Sequence, residues 1–139
     1  VDSVAREVAL SNFKKFNCMK LRLQEIELNS IDPEKSRRFY ESALGLENAI
    51  DQGQLQVFQT GFPGLDFNIS SHYPNEKVVI SFITDDLYQV IERLNALSVT
   101  FEGPKDSHLG MMTIVFRDSD GRQIKVNQPT EKSPTWLQV

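Results

Sequence analysis

The feature that most constrains this chain is a duplicated order of elements. "LRLQEIELN" (21–29) is a strand pattern. Asp32 then stands where a helix cap belongs. It precedes Pro33, which suits a first helical position, and Glu34 adds negative charge to the first turn. The predicted helix runs through "PEKSRRFYESAL" and stops at Gly45. Short strands are predicted at "LENAID", "LQVFQT" and "LDFNIS". Gln52-Gly53 joins the first two, and Gly61, Pro63 and Gly64 break the next connection. The succession then runs again. "KVVISFIT" is a strand, Asp85-Asp86 caps the helix "LYQVIERLNAL", and "VTFE" leads to a loop with Gly103 and Pro104. "MMTIVF" and "RQIKVN" close the series. Asp32 and Asp85, Ala43 and Ala96, and Leu44 and Leu97 coincide at a shift of 53 residues. This is slight as identity but informative as order. It predicts one α+β domain of two βαβββ modules, about 21–70 and 77–128, with helices near 33–44 and 86–97.

The flanks are less patterned. Residues 1–20 form an N-terminal extension with Val4, Val8 and Phe13 at loosely helical spacing. It reads equally as a surface helix or as leader sequence, since Met19 would serve as a start. Residues 129–139 carry two prolines and read as an extended arm. The 139 residues suit one domain, or two small modules sharing a core. Net charge is −4 with no basic stripe, which argues against a nucleic-acid partner. Cys18 is the only cysteine. It has no partner for a disulfide or a zinc site, so an inert thiol in a reducing cytoplasm is the simplest setting. No apolar run approaches the roughly 20 residues of a membrane helix, and the start lacks the apolar stretch of a signal peptide.

The stretch "VFRDSDGRQIKV" (115–126) reads as a tight hairpin between two strands. If Ile124 and Val126 enter a core, period-two geometry sends Gln123, Lys125 and Asn127 to the other face. A lysine there is either a solvated edge charge or one wall of a site. On the first strand Ile26 and Leu28 are expected under the helix, with Leu21, Leu23, Glu25, Glu27 and Asn29 opposite. Two carboxylates in mid-strand mark either a solvent-facing sheet or a cleft floor. His72 and His108 read as loop residues.

"IDPEKSRRFYESALGLE" resembles the first helix of the vicinal oxygen chelate superfamily, which includes glyoxalase I, bleomycin-resistance proteins and extradiol dioxygenases. Asp32, Phe39-Tyr40 and Leu44-Gly45-Leu46 carry the resemblance. "FRDSDGRQIKV" is similar to the family's closing hairpin, with Ser119 where proline is usual. The resemblance spans roughly Lys20 to Gln128. It implies two curved modules whose sheets form a cupped, barrel-like cleft, commonly in dimers. It also implies a divalent metal in the family's enzymes, held by His or Glu on the first strand, His on the fifth and Glu on the eighth. Counting from the motifs puts those positions at Glu25, at Val78 or Val79, and at Lys125. Valine offers no ligand atom, and an ammonium has no lone pair. One carboxylate is a poor site for zinc or iron, which want three or more ligands. The expectation is therefore no metal and no cofactor, with a Glu25–Lys125 ion pair in the metal's place.

The resulting expectation is a metal-free small-molecule-binding protein of the glyoxalase/bleomycin-resistance type. Its ligand would sit in the inter-module cleft among Glu25, Glu27, Asn29, Ser81, Gln123, Lys125 and Asn127. Phe58, Phe67 and Met112 would supply apolar walls, and His108 would reach in from a covering loop. The acidic residues would suit a cationic ligand. The alternative is a metal-dependent lyase, isomerase or dioxygenase, which needs Glu27 and His108 to join Glu25. The ligand count argues against it, so the reading leans away from an enzyme. A third reading is an interaction module whose only product is its dimer. A homodimer is expected in any case, because short strand-rich modules leave edges to cover.

Overall fold

The structure, a computed structural model, describes residues 19–139. The expectations for the N-terminal extension and Cys18 lie outside the described residues. The elements run β1 (Leu21–Asn29), α1 (Pro33–Leu44), β2 (Asn48–Asp51), β3 (Leu55–Gln59), β4 (Asp66–Ser70), β5 (Val78–Thr84), α2 (Leu87–Ala96), β6 (Phe101–Asp106), β7 (Met112–Arg117) and β8 (Gln123–Gln128). A 3-10 turn, His108–Gly110, lies between β6 and β7. This is the predicted duplicated order, in one α+β fold.

All eight strands join one curved, open sheet in the order β2-β3-β4-β1-β5-β8-β7-β6. Each module contributes four strands. β1 pairs β4 in parallel, and β5 pairs β8 in parallel. The modules meet at the antiparallel pair β1–β5. Both helices cover the same face and leave the other face free to form a cup.

Local chemistry sets the helix ends. The Asp32 carboxylate accepts from the Lys35 amide at 3.1 Å, and Gly45 ends α1 in the left-handed conformation at φ 66°. Asp86, not Asp85, caps α2, accepting from the Gln89 amide at 3.2 Å. Asp85 instead accepts from the Lys20 amide at 2.8 Å, tying the end of β5 to the start of β1. The sequence coincidence at Asp85 is therefore one residue out of step with the caps.

The two modules pack differently. On α2, Leu87, Val90 and Leu94 share one stripe and bury against Ile114, Ile124 and Val126. On α1 only Pro33 is fully buried, and contact with the sheet is aromatic. The Tyr40 ring meets Phe67 edge-on with centroids 5.4 Å apart, and Phe58 lies 6.2 Å away. Phe58 and Phe67 pair with each other across β3 and β4 on this helix-covered face. Met112 also packs against the α2 cluster. These three expected cleft walls belong to the opposite side of the sheet. Strand alternation fixes each face, and counting from isolated aromatic or methionine residues misassigned it.

Two irregularities shape the cup. The β1–β5 register shifts between Leu23 and Glu25. Leu23 consequently pairs with Phe82 on the helix side, and Leu21, two residues earlier, pairs with Thr84 on that same side, so neither leucine shares a face with Glu25 as expected. The second irregularity is in β6, which continues through Gly103-Pro104, where a loop was expected. A register shift between Glu102 and Lys105 absorbs the proline on an edge strand. Gly103 has φ 101°, and a Cβ there would meet the Thr113 carbonyl oxygen at 2.6 Å, so only glycine fits.

The C-terminal segment is tethered. Thr130 donates to the Gly110 carbonyl at 2.6 Å, and Arg22 donates to the carbonyls of Gly64 and Gln138.

The aromatic cluster is expected to hold the first module. Phe58→Ala should cost about 3–5 kcal/mol in urea unfolding. Leu44→Ala, on the exposed side of α1, should change stability by about 0.5 kcal/mol or less. Comparable losses from both substitutions would contradict this packing.

Candidate functional site

The cup face follows from strand register. Glu25 pairs with Ser81, and Ser81 pairs with Lys125. These residues form one row across β1, β5 and β8. Glu27, Val79 and Gln123 form the next row. On β4, Asn68 and Ser70 extend this face into the first module. On β7, Thr113 and Val115 extend it into the second, opposite Asn127 and Lys125.

This floor is polar and hydrogen-bonded within itself. Glu25 accepts from the Asn68 amide at 3.0 Å and from the Ser81 hydroxyl at 3.3 Å. Glu27 accepts from the Ser70 hydroxyl at 2.6 Å, with His72 Nδ1 at 3.9 Å. Asn127 is sealed beneath the surface, donating to Gln24 Oε1 at 2.9 Å. Gln24, the residue at the β1 bulge, also points its amide at the buried Met111 sulfur. Met111, rather than the expected Met112, is thus the methionine on the cup side.

Lys125 does not pair with Glu25. Its Nζ donates to the Tyr73 hydroxyl at 3.2 Å and lies 5.8 Å from the Tyr73 ring centre. The expected ion pair is not formed because Asn68 and Ser81 already satisfy the carboxyl, and the loop between β4 and β5 brings Tyr73 to the ammonium. The Lys125 charge still acts on Glu25. Burial pushes the Glu25 carboxyl above its ordinary range, the Glu27 charge pushes it further, and Lys125 opposes them. His108, on the turn above, is held below its ordinary range by desolvation and then by Lys125, while Glu27 pulls the other way.

A cleft of about 700 Å³ opens beside this row, within the second module. Gln123 and Lys125 line it, together with Tyr73, Thr113, Val115 and Arg117. Val99, Phe101 and Phe116 border it at the sheet edge, their side chains packed against the α2 cluster on the other face, and Glu102 and Lys105 stand on the β6 side. Glu25, Glu27, Asn29, Ser81 and Asn127 share the sheet face but do not line this cleft. His108 follows Ser107, which does. Tyr73 and Gln24 went unseen in the sequence, one in an aperiodic loop and the other at a bulge. Thr113, Val115 and Arg117 were missed as well, although their alternation with the apolar Ile114 and Phe116 is a signal that could have placed them.

A divalent metal of the kind the resemblance implied does not fit this floor. The row holds one carboxyl, one hydroxyl and one ammonium. Its β5 member is Ser81, whereas Val79 lies one row away and Val78 pairs with Leu28 on the other face. Among the described residues, no group of three or more His, Cys, Asp or Glu is placed to hold a metal ion.

The raised Glu25 carboxyl has a consequence for stability. The folded state holds this proton more tightly than the unfolded chain does. That contribution is full below the ordinary value of 4.5 and is lost as pH rises through the raised value. Glu25→Gln keeps the uncharged state at every pH. Its stability relative to the unmutated protein should therefore climb as pH rises from 4.5. Urea midpoints across this range check the trend, and a flat difference would contradict it.

Residues 22–126 match the sequence model of the glyoxalase/bleomycin resistance protein/dioxygenase superfamily. Among the curated proteins no relative matches the chain. A superfamily member from Vibrio splendidus 12B01 has a similar structure, with TM-score 0.59 and 20% identity over 78% of this chain and 98% of that one. Methylmalonyl-CoA epimerase from Mycobacterium tuberculosis has TM-score 0.57 and 13% identity over 79% of this chain and 89% of that one. At such identities these likenesses speak for the fold. The family match covers most of the described chain, and the paired βαβββ modules agree with it. The chain belongs to the glyoxalase/bleomycin resistance protein/dioxygenase superfamily.

Proposed function

We propose that this chain is a metal-free small-molecule-binding member of its superfamily, with the ligand held in the cleft of the second module. One observation carries the reading. The ammonium of Lys125 stands on β8 in the row of Glu25, beside the cleft, where the resemblance implies a glutamate ligand in the metal enzymes. A cation fixed there repels a second cation, and the neighbouring hydroxyl and amide are already spent on Glu25.

The alternative reading is a metal-dependent lyase, isomerase or dioxygenase. It would require Glu27 and His108 to leave their present partners, Ser70 and Ser107. Methylmalonyl-CoA epimerase has the same fold, which keeps the two readings directly comparable. The lone Cys18 in the sequence suits a reducing compartment, and we include that setting in the proposal.

We also propose a homodimer. β2 and β6 are open edges, and Phe39 and Ile50 are exposed on the first module.

Elemental analysis of purified protein should find no stoichiometric zinc, iron, manganese or nickel. Lys125→Glu should raise zinc affinity only weakly, since no histidine joins it on β5. One metal per chain in the unmutated protein would overturn the metal-free reading and favour the enzyme. Light scattering should give twice the 15.9 kDa chain mass at micromolar concentration. A mass near that of one chain would remove the dimer.

A further inference from the structure

The charges around the cleft are unequally committed. Three cations line it: Lys105, Arg117 and Lys125. Lys105 pairs with Glu102 at 3.5 Å. Arg117 pairs with Glu76 at 2.5 Å, and its guanidinium also donates to the Gly121 carbonyl at 2.8 Å. Among the described residues, Lys125 has no carboxylate within ion-pair distance, and its Nζ donates to the Tyr73 hydroxyl.

The carboxylates nearby do not change that balance. Glu102 is engaged by Lys105. Asp106 borders the cleft but is in register with Met112, on the other face of the sheet. Glu25 and Glu27, the residues that suggested a cationic ligand, do not line the cleft.

We infer that the cleft takes a small carboxylic acid, its carboxylate bonded to Lys125 and Tyr73 and its body against Val115 and Thr113 on the same face. The inference rests on the cleft being a ligand site, as proposed above. The donor count fits. An ammonium has three N–H groups, and Lys125 spends one on Tyr73. The Tyr73 oxygen accepts that bond, which leaves the phenolic proton free to donate to an incoming anion. The charge count favours a monoanion over a phosphate dianion. A single uncommitted cation faces the cleft, with Glu102 close by. Val115, in register with Lys125, is an apolar contact for the body of the acid on this face.

The loop between β4 and β5 makes this arrangement specific. It delivers Tyr73 to Lys125 and Glu76 to Arg117, closing over β7 and β8 at two points. Arg117 is thereby withdrawn from the ligand, and Lys125 is held in position by a neutral group that leaves its charge uncompensated.

Protein-observed NMR with a fragment set of equal numbers of carboxylates, amines and neutral amides tests this. The expected result is that fragments shifting the Val115, Gln123 and Lys125 amides are mostly carboxylates. Their affinity should exceed that of the matching amides by roughly tenfold or more. Lys125→Met should reduce carboxylates to the level of the amides, and Tyr73→Phe should weaken them while leaving the ammonium in place. Lys105→Met should leave the preference intact. Each variant is used only if its spectrum keeps the native dispersion, and Tyr73→Phe supplies the answer should Lys125→Met fail to fold. Cleft binding with equal preference for amines or amides would overturn the carboxylate inference and leave the ligand site standing. An absence of any fragment in the cleft would overturn both.

Discussion

The antiparallel pairing of β1 with β5 is the joint on which the rest of this structure depends. It joins two four-strand modules into one sheet, with both helices on one face. It also decides which side chains meet. Glu25 lies opposite Ser81 only because the strand shifts register between Leu23 and Glu25. Without that shift the polar residues of β1 would fall on the helix side, where Leu23 now stands, and burying them there would be costly. β8 then adds Lys125 to the row through Ser81. The contents of the cup follow from these two registers.

Electrostatics on the cup floor are arranged in layers. Carboxyls in the first module and at the seam are satisfied by neutral donors: Glu25 by Asn68 and Ser81, and Glu27 by Ser70. Arginine and lysine in the second module are held by carboxylates at its rim. Lys125 sits between the two layers, bonded to a phenol. The resemblance implies that in the family's metal enzymes this place belongs to a glutamate around a divalent cation. Here the positive charge is covalently attached, and the space beside it is open. The fold is shared across the superfamily, while the side chains at its centre vary, so membership alone does not name an activity.

Much of this was legible in the chain. The cap at Asp32, the stop at Gly45 and the strand 21–29 were each signalled by local chemistry that tertiary contacts did not override. The period-two pattern of β8 placed Gln123, Lys125 and Asn127 on one face correctly. The misses share a cause. Asp85 and Asp86 are adjacent, and only packing decides which one caps. The bulge in β1 leaves no mark in an alternating sequence, so Leu21 and Leu23 were assigned to the wrong face. Gly103-Pro104 reads as a loop, yet an edge strand with a bulge carries it. Tyr73, which answers what Lys125 does, sits in a loop whose course no periodicity predicts. The expected Glu25–Lys125 contact failed because a count along strands fixes the row without fixing which side chains within it touch.

A half-buried carboxyl and an ammonium share the cup floor without contact, and the ammonium restrains the rise in the carboxyl's proton affinity. A direct measurement is the carbon-13 NMR titration of the Glu25 side-chain carboxyl in the unmutated protein and in Lys125→Met. The account predicts a value above the ordinary 4.5 in the first and a further rise in the second, since burial and Glu27 raise it and Lys125 restrains it. A Glu25 value at or below 4.5, or one that does not respond to loss of Lys125, would contradict the account.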